Sequence, residues 1–205
     1  MVITHHGGQC FKVTFGNTTL AFDPISKKSK LSPVKFGADV AFVSLQHENF
    51  NGVEEMSFGA KEPFIVSDPG EYEIGEVTAR GYGVETMYEG KKRFNTIYQV
   101  ILEDINMVFL GALGTSEIDP KILSEFGDID ILFIPIGGGD VLDVPAASKL
   151  ATKLEPHAVI PMHYDKTALG AFLKEEGVDA KPMEKFTVKK KDLVAMEAEV
   201  VVLGA

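Results

Sequence analysis

The chain has 205 residues, 45% hydrophobic and 24% charged, a composition that predicts a soluble globular protein with one domain over 1–205. Its formal net charge of −10 argues against a dedicated nucleic-acid or anionic-membrane binder, since both need a basic face. Cys10 is the only cysteine, which excludes an intrachain disulfide and a thiolate metal cluster.

No apolar run approaches the ~18 residues of a membrane span, and Met1–Gly8 has no basic segment followed by an apolar one. A cytoplasmic protein with no membrane attachment is expected. The lysine runs at 27–30 and 189–191 read as solvated turns or strand ends. Cys10, between Gln9 and Phe11, reads as a small buried hydrophobe.

In chain order, 2–4 and 10–15 predict strands around the turn His5-His6-Gly7-Gly8, and Gly16-Asn17 turns the chain into a third strand at 18–22. Asp23-Pro24 ends that strand, because proline lacks an N–H for the ladder. After a lysine- and proline-rich loop, 40–44 is apolar throughout and predicts a strand covered on both faces. A short strand at 63–66 follows, then a glycine-punctuated β pattern over 72–86 and a hairpin of 95–102 with 107–110. The second half alternates helix and strand: helices at 119–126, 144–154 and 167–176, strands at 129–135 and 158–161, and terminal strands at 186–188 and 199–203. Strand-rich sequence followed by helix–strand alternation predicts an α+β or layered α/β sandwich.

Four apolar strands end in polar or glycine turns. These are His47-Glu48-Asn49, Gly111-Ala112, Gly137-Gly138-Gly139-Asp140 and His163-Tyr164-Asp165. Side by side and parallel, the strands would bring all four turns to one sheet edge, where histidines and carboxylates make a metal or acid–base site. His5, His6 and His157 read as surface residues. Glu71 and Glu73 alternate around Tyr72, so they share one side of a strand and either line the cleft or face solvent.

The order of these turns resembles the metallo-β-lactamase-fold hydrolases, in particular a small bacterial and archaeal branch loosely related to ascorbate-phosphate lactonases. The segments that carry the likeness are Gly70-Glu71-Tyr72-Glu73, Asn95-Thr96-Ile97, Gly127 to Gly138 and Ile160 to Tyr164. The resemblance implies a four-layer αββα sandwich with a metal site on one edge. The family's His-x-His-x-Asp-His motif falls on Leu45, His47, Asn49 and Phe50, so only the second histidine is kept. A further family histidine falls within 85–88, where this chain has none. The bridging aspartate falls on Ala112 and a nearby histidine on Phe109, while the last histidine is present as His163.

Two imidazoles are short of the three or four ligands that zinc takes, and without a carboxylate at Ala112 the two-metal clamp on a hydroxide is lost. The first expectation is therefore a cleft without a metal cofactor, binding an unidentified small molecule or protein, with catalytic roles for His47 and His163 in doubt. The second is a relocated single zinc or other divalent metal on His47 and His163, completed by Glu48, Asp140, Asp165 or Glu71. The third is metal-free acid–base catalysis by His47 or His163 on an ester or phosphoester, with the amides at Gly137-Gly138-Gly139 receiving the anion. In each, Asn49, Ala112 and Gly138 line the cleft.

Overall fold

The computed structural model describes residues 1–205. The first half lays down β1 (Val2–His5), β2 (Phe11–Phe15), β3 (Thr18–Phe22), β4 (Val40–Phe42), β5 (Phe64–Val66), β6 (Gly70–Ile74) and β7 (Val77–Tyr88). It continues through β8 (Lys91–Leu102), β9 (Ile105–Phe109), α1 (Pro120–Glu125), β10 (Ile131–Pro135), α2 (Val144–Leu154) and β11 (Ala158–Met162). The chain closes with α3 (Lys166–Glu175), β12 (Phe186–Thr187), α4 (Lys190–Leu193) and β13 (Glu199–Val200).

Two mixed sheets result, one in the order β12-β1-β2-β3-β4-β5 and the other β13-β11-β10-β9-β8-β7-β6. Their facing sides bury the main core. In it Phe22 stacks on Phe42 at 5.0 Å, and Phe11 meets Phe133 edge-on at 4.9 Å. The outer face of the second sheet is covered by α1, α2 and α3 through a second core around Leu132, Ile134 and Phe172. With both faces covered, every residue of β10 and β11 is buried, as their unbroken apolar runs require.

The architecture is the expected layered sandwich, with one difference in its outer layer. Over the first sheet that layer contains a single 3₁₀ turn at Val53–Glu55 within a loop, sealed by a small cluster of Phe36, Ala38 and Met56 on Ala21 and Ala41. The helices form where their caps predict. Asp119, Asp143 and Asp165 each accept from a first-turn N–H at 2.8–2.9 Å, and Pro120 and Pro145 occupy first-turn positions. No helix is long and apolar enough to cross a membrane.

The expectation of four neighbouring parallel strands needs correction. β9, β10 and β11 are adjacent and parallel, but β4 lies in the facing sheet, paired with β3 and β5. Its turn still reaches the same edge because the sheets are stitched there. Thr96 N–H donates to Ser44 O at 2.7 Å, and the Tyr98 hydroxyl lies 2.9 Å from Val43 O. A second correction concerns 85–92, where β7 and β8, twelve residues each, form a hairpin whose tip at Glu89-Gly90 overhangs that edge.

Candidate functional site

Buried polar groups fix the backbone where the two sheets meet. Asp23, at the end of β3, has no exposed surface and accepts from Ser44 N (2.7 Å) and Ser44 Oγ (2.6 Å), which sets the start of the turn after β4. Burial pushes its carboxyl up to about 8, against which the Ser44 hydrogen bonds work. Asn95 on β8 donates to Leu110 O at 2.9 Å and accepts from Ala112 N at 2.8 Å, fixing the exit of β9. Between them Gly111 (φ +61°) passes so close that a Cβ there would lie 2.4 Å from Ser44 Cβ.

The turns enclose an apolar cluster. Leu45, Phe50, Tyr88, Ala112 and Val141 pack together, each at most 4% exposed. Phe50 and Tyr88 meet edge-on at 5.2 Å. Both candidate histidines pack on these rings. His47 lies 5.0 Å from Tyr88 and 5.9 Å from Phe50, and His163 lies 6.4 Å and 6.0 Å from the same two.

Hydrogen bonds assign the state of each imidazole. Asn49 N–H donates to His47 Nδ1 at 3.2 Å, so the His47 proton is on Nε2, which faces Glu89 Oε2 at 3.2 Å. His163 has a left-handed backbone (φ +52°), held by its N–H bond to Gly8 O at 2.9 Å. Its Nδ1 lies 2.9 Å from Nε2 of the wholly buried Gln9. Burial lowers the His163 pKa, with the Asp140 charge opposing it, so the ring is neutral at pH 7.

The remaining predicted residues divide. Asn49 joins the cluster by donating from Nδ2 to the Tyr88 hydroxyl at 3.2 Å, and Asp140 accepts from Glu89 N at 3.0 Å. Asp165 caps α3 and, with Gly138 and His163, borders a cleft of about 360 Å³. Glu48 is exposed and faces a separate shallow hollow beside Lys28 and Gln46. The Gly138 N–H is taken by Leu142 O at 2.9 Å, and a Cβ on Gly137 would lie 2.2 Å from His163 O. Close backbone packing accounts for glycine at 137, and a left-handed backbone (φ +73°) accounts for it at 138.

Glu71 is outside the site. It is 77% exposed on edge strand β6 and pairs with Arg80 Nε at 3.3 Å, eight residues or about 26 Å along β7 from Tyr88. Nor are His5, His6 and His157 simple surface residues. His5 stacks on Phe11 at 4.6 Å, His6 lies 3.1 Å from Thr4 Oγ1, and His157 Nδ1 lies 3.1 Å from Met196 O. Sequence reasoning missed Gln9, Tyr88, Glu89 and the bracing roles of Asp23 and Asn95. A two-residue loop at Glu89-Gly90 was the one available signal for Tyr88 and Glu89.

Residues 2–163 match the family model described as a beta-lactamase superfamily domain. The chain belongs to that superfamily. A UPF0173 metal-dependent hydrolase of Listeria monocytogenes serotype 4a is 27% identical over 222 aligned positions, covering 90% of this chain and 97% of the relative. One from Pyrococcus abyssi is 30% identical over 150 positions, covering 67% and 58%. Among solved structures, a Thermotoga maritima protein of the metallo-β-lactamase superfamily, named for Zn-dependent hydrolysis, superimposes with a TM-score of 0.78 at 27% identity. The match covers 98% of this chain and 97% of that one. Igni18 from Ignicoccus hospitalis shares the fold at a TM-score of 0.64 and 15% identity, covering 92% and 99%.

The names of these relatives raise the question whether a metal fits this edge. No three His, Cys, Asp or Glu side chains gather at a spacing able to hold a metal ion. Both His47 nitrogens have protein partners, and the side chains at Leu45, Phe50 and Ala112 offer no lone pair. As arranged, these residues do not fit a zinc centre, which needs at least three protein ligands.

Proposed function

We propose that this chain keeps the metallo-β-lactamase scaffold but uses the edge that carries metal in such hydrolases as a metal-free cleft for a small molecule or a partner. The observation that supports it is the packed cluster of Leu45, Phe50, Tyr88, Ala112 and Val141 at that edge. A dication placed against these groups would give up its hydration for apolar contacts, at a cost of several kcal/mol per charge. The adjoining cleft, about 360 Å³ and bordered by Leu31, Tyr88, His163 and Tyr164, falls in the size range of small-molecule sites.

The relatives' names favour a second reading, a metal-dependent hydrolase. It would centre on His163, whose Nε2 has no protein partner, and would need carboxylates such as Asp140 to swing toward it.

Elemental analysis of protein purified without added metal, with ester and phosphoester assays on the same sample, separates the two. The proposal expects neither bound metal nor turnover. Near-stoichiometric metal, with turnover abolished by His163→Ala, establishes the second reading.

A further inference from the structure

The cleft is furnished with hydrogen-bond donors, and two side-chain chains of hydrogen bonds end in it. In the first, Leu31 N–H donates to Ser29 Oγ at 3.0 Å, and the Ser29 hydroxyl donates to Asn49 Oδ1. Asn49 Nδ2 then donates to the Tyr88 hydroxyl at 3.2 Å. With Asn49 Oδ1 facing the Ser29 hydroxyl and Nδ2 facing Tyr88, the Ser29 proton goes to Asn49 and an amide proton goes to Tyr88. The Tyr88 oxygen is left as an acceptor within the protein, and no protein group accepts its own proton.

The second chain is Gln9 to His163. Gln9 is wholly buried, its Nε2 lies 2.9 Å from His163 Nδ1, and its Oε1 has no partner. The reversed amide would put an NH₂ group where nothing accepts, and buried orphan N–H groups are rarer than under-satisfied carbonyls. Nε2 of Gln9 is therefore the donor. His163 Nδ1 accepts, the ring proton sits on Nε2, and no protein acceptor meets it. A lone pair aimed at a metal from Nε2 is incompatible with this tautomer.

The two donors belong to rings 6.4 Å apart, and both rings border the same cleft. We propose that the cleft binds a neutral carbonyl compound, such as an amide or ester, whose C=O oxygen accepts from Tyr88 Oη–H and His163 Nε2–H. This rests on the metal-free reading above and adds the ligand's chemical class. A ligand offering only donors finds no acceptor on either group. A carboxylate or phosphate is opposed by Asp165 at the border and by Asp140 and Glu89 alongside. Leu31 and the Tyr164 ring supply the apolar contact for the remainder of the molecule.

The test is an NMR titration of the full-length ¹⁵N-labelled protein with benzamide, benzoate and benzylammonium. Long-range ¹H–¹⁵N spectra of the free protein should show neutral His163 protonated on Nε2. Benzamide should bind more tightly than the other two and shift that Nε2 resonance, and Tyr88→Phe should weaken it about three- to tenfold. An Nδ1–H tautomer, a preference for benzoate or benzylammonium, no benzamide binding, or unchanged affinity in Tyr88→Phe each overturns the assignment. A zinc titration run alongside separates the two levels. Stoichiometric zinc that displaces benzamide defeats the metal-free cleft itself, whereas absence of both zinc and benzamide binding defeats only the carbonyl assignment.

Discussion

Asn49 donates from its side-chain amide to the Tyr88 hydroxyl at 3.2 Å, joining the turn after β4 to the tip of the β7–β8 hairpin. Asn49 follows a strand of the first sheet, and Tyr88 ends a strand of the second. Within the protein the bond leaves the Tyr88 oxygen an acceptor, with no group taking the hydroxyl proton.

Asn49→Asp reverses that direction. A carboxylate accepts the Tyr88 proton, so the cleft loses one donor while the packing around it is nearly unchanged. Benzamide affinity should fall about three- to tenfold, while stability in urea changes by about 1 kcal/mol. Paired NMR titration and urea unfolding of the variant measure both.

Phe50 has no exposed surface and touches both histidines and Tyr88. Truncation leaves a cavity at the junction of the sheets, and Phe50→Ala should cost about 3–5 kcal/mol. Chemical denaturation measures it directly. A loss below about 1 kcal/mol would mean that the apolar cluster is not a packed part of the core.

Much of the fold was legible from the sequence because its signals are local. Apolar runs such as Ile131–Pro135 marked buried strands, and Asp119-Pro120 marked a helix start. The site was legible only in part. Leu45, Phe50 and Ala112 could be set against the motif of the resembling family, but the way they pack with Tyr88 and Val141 could not be read. Tyr88 and Glu89 arrive on a hairpin whose two loop residues, Glu89 (φ +50°) and Gly90 (φ +68°), are both left-handed. Such loops usually announce themselves as Asn-Gly or Asp-Gly, and glutamate hid this one. Gln9 and His163 are 154 residues apart, a separation at which no spacing rule operates.

Asp23 should give stability an unusual pH dependence. Its folded-state pKa, about 8, lies above the ordinary 3.8, so the folded protein holds a proton that the unfolded chain releases. The contribution is complete below pH 4 and is lost as pH rises through about 8. Urea unfolding from pH 5 to 9 should show stability falling toward the alkaline end, and Asp23→Asn, which stays neutral, should flatten that slope.

Gly137 has no room for a side chain, because a Cβ would approach His163 O to 2.2 Å. Gly137→Ala must push the His163 backbone away, which should cost about 1–3 kcal/mol and break the Gln9–His163 alignment. The His163 ring signal in long-range ¹H–¹⁵N spectra should shift, or show both tautomers.

We propose that this edge of the fold binds no metal. Equilibrium dialysis against zinc tests it most directly, comparing the wild-type protein with a variant carrying Leu45→His, Asn49→Asp, Phe50→His and Ala112→Asp. The wild-type protein should retain no more zinc than its His163→Ala control, while the variant, if folded, should gain a site. Near-stoichiometric zinc on the wild type, lost in His163→Ala, would contradict the account.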